Sequence, residues 1–81
     1  MSKAENYDFE ALSIGSEGGL VLMVQRTLCS IGYELDSNGV FDEHMQEVVK
    51  EFQEEHALPV PNGEVGVETI LELERLDSLK N

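Results

Sequence analysis

The sequence predicts an all-α fold, a small closed three-helix bundle with two Asn-Gly loop turns. Apolar residues recur at steps of three and four in three separate segments, which is the period of helices that bury one face. In addition, the chain contains one motif twice: an apolar residue followed by glutamine, and later an Asn-Gly pair. The first copy has Gln25 and Asn38-Gly39, and the second has Gln53 and Asn62-Gly63. The repetition sets the architecture, because each copy is a helix, a break, a turn and the start of a new helix.

Length and charge limit the classes of function. The chain has 81 residues, enough for one small domain, and its formal net charge of -12 repels nucleic acid phosphates, so we expect no nucleic-acid partner. No apolar run approaches the ~20 residues of a membrane span. The first ten residues lack a signal-peptide profile. We therefore expect a cytoplasmic product as synthesised, which would reach a cell wall only through a partner, a particle or lysis.

The N-terminal part is predicted to be an arm followed by a turn. Residues 1–11 show little periodicity and form an acidic arm whose large side chains are Tyr7 and Phe9. The domain proper is expected from residue 12 to residue 79, with a tail at 80–81. Residues 12–19 are rich in glycine and serine, as is typical of a tight corner.

The first helix is predicted from Leu20 to Ile31, and Gly32 ends it. Its buried stripe consists of Val21, Val24, Leu28 and Ile31. Cys29 lies in this helical pattern, where we interpret it as a small buried or half-buried apolar residue; as the single cysteine it excludes an internal disulfide.

The second and third helices follow the two Asn-Gly turns. Asp42 is a favourable N-cap for the second helix, whose stripe of Met45, Val48, Val49 and Phe52 is the cleanest amphipathic pattern in the chain. Pro59 and Pro61 prevent that helix from continuing. The third helix is predicted from Val67 to about Leu79.

A longer string of motifs resembles a known family. Its parts are Leu12, Gly15, Ser16 and Gly18; Val24, Gln25 and Leu28; Gly32-Tyr33; Asn38-Gly39-Val40-Phe41; Val49, Phe52 and Gln53; Leu58-Pro59-Val60; and Gly63, Gly66 and Thr69. In this order the residues resemble the peptidoglycan-binding-like domain of cell-wall hydrolases and phage endolysins. The resemblance implies a domain that binds peptidoglycan without catalysis.

Four residues are predicted to be structural. Gln25 and Gln53 stand on core-facing stripes where a leucine would be expected, and a half-buried amide needs partners. The backbone of the two Asn-Gly loops can supply them, although direct contact with a ligand is the alternative. Phe41, like Val65 after the second turn, is predicted to be a hydrophobic plug, and Phe52 belongs to the core stripe.

The leading hypothesis is a non-catalytic module that targets a partner or particle to the bacterial cell wall. Its ligand groove would lie between helices near the two turns, and the candidate ligand-binding residues are Tyr33, Asp36, Asn38, Gly39, Asp42, Asn62 and Gly63. No cofactor is expected. We also expect no enzyme site, because His44 and His56 are too far apart along one helix to share a metal. We interpret both histidines as solvated helix residues.

Three departures from the family pattern support other functions. Asp42 replaces a glycine and Met45 a threonine at a corner that a wall ligand could approach. The strong negative charge is also a poor match for wall carboxylates and phosphates. Lastly, the first helix carries extra apolar residues, Leu20, Leu22 and Met23.

Two alternatives follow from these departures. The first is an adaptor that keeps the fold and docks a protein partner, or a second copy of itself, through Leu20, Leu22 and Met23 together with Tyr7 and Phe9. The arm carrying Tyr7 and Phe9 could instead cover that face within the monomer. The second, weaker alternative is an acidic inhibitor or immunity protein that binds a basic partner.

Overall fold

The structure, a computed structural model, describes residues 10–80, and within them the chain forms three helices. Helix α1 spans Gly19–Ser30, α2 spans Glu43–Glu55 and α3 spans Val67–Lys80. The predicted all-α three-helix bundle is confirmed, and α1 begins and ends one residue earlier than the periodicity indicated. Tyr7 and Phe9 lie outside the described residues.

The N-terminus of α2 is closed by a side chain. The Asp42 carboxylate accepts the backbone N–H of Met45 at 2.9 Å, so the predicted N-cap is present. Glu43 in the first turn adds a negative charge at the positive end of the helix. Gly18 precedes α1 and provides no side-chain cap. The two helices therefore begin with different local chemistry.

Helices α1 and α2 end in the same way. The N–H of Tyr33 donates to the carbonyl of Leu28 at 3.0 Å, and the N–H of Leu58 donates to the carbonyl of Gln53 at 2.9 Å. In each case the residue just before the donor has a positive φ, +113° at Gly32 and +56° at Ala57. This left-handed residue reverses the chain after the last helical turn.

The segment of residues 12–18 joins the two Asn-Gly loops. Leu12 exchanges backbone hydrogen bonds of 2.9 and 2.8 Å with Val65, after the second turn. Further along, the N–H of Phe41 donates to Ser16 at 2.9 Å, and the N–H of Gly18 donates to Gly39 at 2.9 Å. The sequence indicated a corner here but did not predict that one short segment pairs with both loops.

The core lies between the three helices and under both loops. Its buried apolar side chains are Val21, Val24, Leu28, Phe41, Met45, Val48, Val49, Phe52, Val65 and Leu73. Phe41 is 1% exposed and Val65 is fully buried, as expected of hydrophobic plugs that follow the two turns. In residues 10–80, none of the helices combines the length and apolarity that crossing a membrane requires.

Candidate functional site

The first Asn-Gly loop is fixed to α1 by the side chain of Gln25. Its oxygen accepts the N–H of Gly39 at 2.7 Å, and its nitrogen donates to the carbonyl of Val40 at 3.0 Å. The same nitrogen lies 3.3 Å from the side-chain oxygen of Asn38. Because Gln25 is only 1% exposed, its amide is used inside the protein and is not presented to a ligand.

The second loop is fixed to α2 by Gln53 in the same arrangement. The oxygen of Gln53 accepts the N–H of Gly63 at 2.8 Å, and its nitrogen donates to the carbonyl of Glu64 at 2.7 Å. That nitrogen also donates to the Thr69 hydroxyl at 2.9 Å. These contacts are those expected of a glutamine that ties a loop to a helix.

The asparagines of the two turns bond within their own loops. The side-chain oxygen of Asn38 accepts the N–H of Val40 at 3.0 Å, and that of Asn62 accepts the N–H of Glu64 at 2.9 Å. The carbonyl side of each asparagine therefore maintains the turn. We conclude that the repeated motif is a structural device that occurs once in each half of the domain.

The two departures at the first corner differ in their environment. Asp42 is exposed and caps α2. Met45 is 1% exposed, and its sulfur lies 3.5 Å from the nitrogen of Gln25. It thus takes the place that Thr69 occupies beside Gln53. The side chain of Met45 points into the core, as its place on the predicted stripe of α2 indicates, so of the two residues only Asp42 is open to a ligand at this corner.

Tyr33 lies between α1 and α2 with its ring half-buried. The ring meets Phe52 edge to face, with centroids 5.9 Å apart and planes at 80°. Its hydroxyl donates to the carboxylate of Glu55. Burial, the Glu55 hydrogen bond and the charges of Glu55 and Glu51 together raise the pKa of Tyr33 well above its ordinary value. The ring is therefore held from the α2 side, by Phe52 and Glu55.

A concavity of about 520 Å³ opens beside this ring. We call it the Tyr33 concavity; it is lined by Cys29, Tyr33, Glu34, Leu35, Asp36 and His44. Two contacts hold its loop: a ring nitrogen of His44 lies 3.1 Å from the carbonyl of Glu34, and the Cys29 thiol donates to the carbonyl of Leu35 at 3.2 Å. Cys29 is exposed, so the prediction that it is buried or half-buried is wrong. The concavity combines an aromatic ring with the carboxylates of Glu34 and Asp36.

The second turn borders a different concavity, of about 400 Å³. Its lining residues are Ala11, Gln53, Val60, Asn62, Glu64, Gly66, Val67, Glu68 and Thr69. Of the candidate ligand-binding residues, the structure thus places Tyr33 and Asp36 together and puts Asn62 in this second concavity. Gly39 and Gly63 use their N–H groups to hold the glutamines.

Some lining residues were not predicted. Glu34 and His44 line the Tyr33 concavity. The sequence pattern that could have indicated Glu34 is its spacing of two residues from Asp36, with Leu35 between them. His44 was interpreted as a solvated helix residue, and it is exposed but in contact with the Glu34 carbonyl. This contact depends on the loop path, which local patterns do not specify.

His56 was also interpreted as a solvated helix residue, and it is half-buried. Its ring packs on Phe52 with centroids 4.5 Å apart, and its Nδ1 lies 3.2 Å from the carboxylate of Glu72 on α3. Arg75 also contacts Glu72, at 2.7 Å. The Arg75 hydrogen bond, assisted by His56, lowers the pKa of Glu72. His56 thus links α2 to α3.

The candidate partner-binding residues on α1 face two ways. Leu20 and Met23 are 39% and 44% exposed. Leu22 is half-buried and lies beside the first loop, where a Cβ on Gly39 would come within 3.9 Å of the Leu22 Cβ.

Within the part of the chain that the structure describes, no group of three His, Cys, Asp or Glu side chains is arranged to hold a metal ion.

Several solved structures share this fold. The SleB N-terminal domain superposes with a TM-score of 0.76 at 29% identity, over 83% of this chain and 92% of that one. An endolysin of the Burkholderia AP3 phage gives 0.75 at 30% identity, over 82% of this chain and 25% of the endolysin. No curated protein sequence matches the chain.

A further similar structure is a fused Zn-dependent amidase/peptidase/peptidoglycan-binding domain-containing protein from Clostridium acetobutylicum. It gives a TM-score of 0.75 at 28% identity, over 79% of this chain and 28% of that protein. The chain thus spans about a quarter of the length of this protein and of the endolysin. A family model described as a peptidoglycan binding domain matches residues 17–73, more than half of the chain. The chain belongs to the peptidoglycan-binding domain family.

Proposed function

We propose that this protein is a non-catalytic module that binds peptidoglycan and brings a partner or particle to the bacterial cell wall. The observation that carries the proposal is the family match over residues 17–73, which includes both Asn-Gly corners. The similarity to an endolysin and to a peptidoglycan-binding domain-containing amidase supports it. In each of those proteins the similar part is about a quarter of a longer chain, as suits a targeting domain.

We place the ligand at the Tyr33 concavity. An aromatic ring offers a flat apolar surface against which a sugar can pack, and carboxylates accept hydrogen bonds from sugar hydroxyls. The carboxylates of Glu34 and Asp36 lie beside the ring of Tyr33 in this concavity. Carboxylates also attract the ammonium groups of wall peptides, so a negative surface favours that part of the polymer.

The buried amides of Gln25 and Gln53 are assigned to the scaffold in this proposal. Each holds the N–H of a turn glycine, and the structure leaves neither amide accessible. The repeated motif therefore positions the loops, and the residues between the first helix and the first turn supply the contacts. Recognition would depend on Tyr33 and the two neighbouring acids.

Co-sedimentation with purified sacculi tests the proposal. We expect the protein to pellet with sacculi, and the double variant Glu34→Ala/Asp36→Ala to lose at least about tenfold in affinity, or about 1.4 kcal/mol. The matched control is Glu47→Ala/Glu54→Ala, which removes two exposed acids of α2 and changes the net charge equally. It should pellet like the wild type.

Two results would reject parts of the proposal. Pelleting no greater than that of an unrelated acidic protein would reject peptidoglycan binding. Equal loss in the two double variants would show that net charge, and not the Tyr33 concavity, governs attachment. A substitution in the second concavity, Asn62→Ala, then shows whether that site carries the ligand instead.

A further inference from the structure

Helices α1 and α3 pack together and leave a groove between them of about 220 Å³. The groove is lined by Met23, Val24, Thr27, Ile70, Leu73, Glu74 and Asp77. Val24 and Leu73 are 1% and 3% exposed, so they form its floor, whereas Met23 is 44% exposed and stands at its edge. We call it the α1–α3 groove.

The apolar surface extends along α1 beyond the groove. Leu20, Met23 and Thr27 follow one another at steps of three and four, so they share one face of the helix. Leu20 is 39% exposed. Apolar side chains grouped at the edge of a groove, on a domain of net charge -12, are typical of an interaction surface.

The size of the groove favours side chains of a protein partner over a small molecule. Small-molecule pockets usually enclose roughly 300–1,000 Å³, and this groove is smaller. An amphipathic helix lying along such a groove inserts residues spaced by three and four, one at a time. A groove with a helix on each side suits that form of ligand.

The charges around the groove are unequal on its two sides. Glu74 and Asp77 are exposed on the α3 side, where they share one helix face with Ile70. Within α1, Gly19–Ser30, the one charged residue is Arg26. Of the two helices that form the groove, α3 therefore supplies the acids that line it, and a partner's cations are attracted to that side.

We propose that the α1–α3 groove docks a basic amphipathic helix of a partner protein. The apolar face of that helix packs on Met23 and Leu20, and its lysines and arginines lie over Glu74 and Asp77. A second copy of this chain is a poor occupant, because two chains that each carry a net charge of -12 repel each other. The docking goes beyond wall binding and does not depend on it.

A designed peptide tests this surface directly. The probe is a helical peptide of lysine and leucine whose leucines share one face, and its control is an isomer of the same composition whose leucines are spread around the helix. Calorimetry with the full chain should show binding of the first peptide only. Met23→Glu and, separately, Glu74→Lys should each weaken that binding at least about tenfold. Glu74 is exposed, so its substitution keeps the test valid if Met23→Glu fails to fold.

The matched control variant is Val60→Glu, which changes an exposed valine, 58% accessible, that borders the second concavity. It should bind the peptide like the wild type, and Met23→Glu should still pellet with sacculi. Equal binding of the two isomers, equal weakening by Val60→Glu, or no binding would overturn the proposal. So would a dimer that Met23→Glu dissociates, or tighter peptide binding after Phe9→Ser, because these would identify a second copy or the N-terminal arm as the occupant.

Discussion

The side-chain oxygen of Gln53 lies 2.8 Å from the backbone nitrogen of Gly63 and accepts its N–H inside the core. Gln25 and Gly39 repeat the relationship at 2.7 Å in the other half of the domain. Each glutamine also donates to the carbonyl of the residue after its glycine. A single side chain thus satisfies both polar groups of a tight turn, which explains why a glutamine stands where a leucine would be expected.

Replacing Gln53 with leucine should destabilise the fold. The substitution keeps an apolar side chain of similar size but leaves the N–H of Gly63 and the carbonyl of Glu64 without their partner. Each unsatisfied buried group costs about 1–3 kcal/mol, so for the two groups we expect a loss of about 2–6 kcal/mol in the free energy of unfolding. Urea denaturation measures it. The exposed neighbour change Glu54→Leu is the control, and a similar loss in both variants would contradict the assignment.

The two turn glycines should differ in their tolerance of alanine. Both have positive φ, +77° at Gly39 and +83° at Gly63. A Cβ on Gly63 would lie 2.7 Å from the Gln46 Cγ and 3.1 Å from its backbone oxygen, whereas on Gly39 the nearest atom would be 3.5 Å away. Gly39→Ala should therefore cost about 1–2 kcal/mol for the left-handed backbone alone, and Gly63→Ala should cost clearly more.

Chemical denaturation of the two alanine variants, side by side, checks this difference. A Cβ on Gly39 would make an ordinary van der Waals contact with the Gly18 carbonyl oxygen, so alanine at position 39 requires no rearrangement of its neighbours. Equal losses of stability would mean that backbone strain dominates and that the contact of Gln46 with the second loop is unimportant.

Ala57→Gly should stabilise the protein. Ala57 has φ of +56° at the end of α2, where α1 has Gly32 in the corresponding place. A left-handed residue with a Cβ costs roughly 1–2 kcal/mol, and the greater freedom of glycine in the unfolded chain offsets part of the gain. We expect a net increase of about 0.5 kcal/mol in the free energy of unfolding and a higher Tm. Ala57 is exposed, so little packing should be lost with its methyl group. A decrease in the free energy of unfolding would show that the contacts of this methyl group outweigh the strain of the left-handed backbone.

Tyr33 should make stability fall at alkaline pH. Its pKa is raised in the folded state, chiefly by burial and then by Glu55, so the folded protein favours the neutral phenol. The resulting stability is fully present below the unfolded pKa of roughly 10 and is lost as the pH rises toward the folded pKa. Urea denaturation of the wild type should show this loss, and Tyr33→Phe should remove that part of the dependence.

Ultraviolet titration of the tyrosinate in a Tyr7→Phe background assigns the signal to Tyr33. We expect ionisation above the ordinary range of a tyrosine, and a shift back toward that range in Glu55→Gln, which removes the charge that the hydroxyl faces. Ionisation of Tyr33 at its ordinary pKa would contradict the contact with Glu55.

Much of the fold follows from local patterns. The periodicity around Val24 and Phe52 predicts two helices, Gly32 marks the end of the first, and Asp42 marks the start of the second. The need of a buried amide for partners predicts the role of Gln25. These inferences succeed because each rests on bonds between residues close in sequence, or on a polar group that has few ways to be satisfied.

The candidate site is less accessible to such reasoning. Tyr33 and Asp36 were predicted as ligand-binding residues from the sequence. The place of His44 in the lining of the Tyr33 concavity was not predicted, because it depends on how the loop that carries Glu34 packs against α2. The contact of the Met45 sulfur with the Gln25 nitrogen likewise joins two different helices. Charge and motif order do not determine such contacts, because they form between residues distant in the sequence.

An NMR titration of the isotope-labelled protein with soluble disaccharide-peptide fragments released from purified sacculi tests ligand binding at the Tyr33 concavity most directly. We expect saturable shifts at residues of the Tyr33 concavity, Tyr33, Glu34, Asp36 and His44, with small shifts at Asn62 and Met23. Shifts centred on Asn62 and Glu68 would place the ligand in the second concavity, and no saturable shifts at all would contradict peptidoglycan binding.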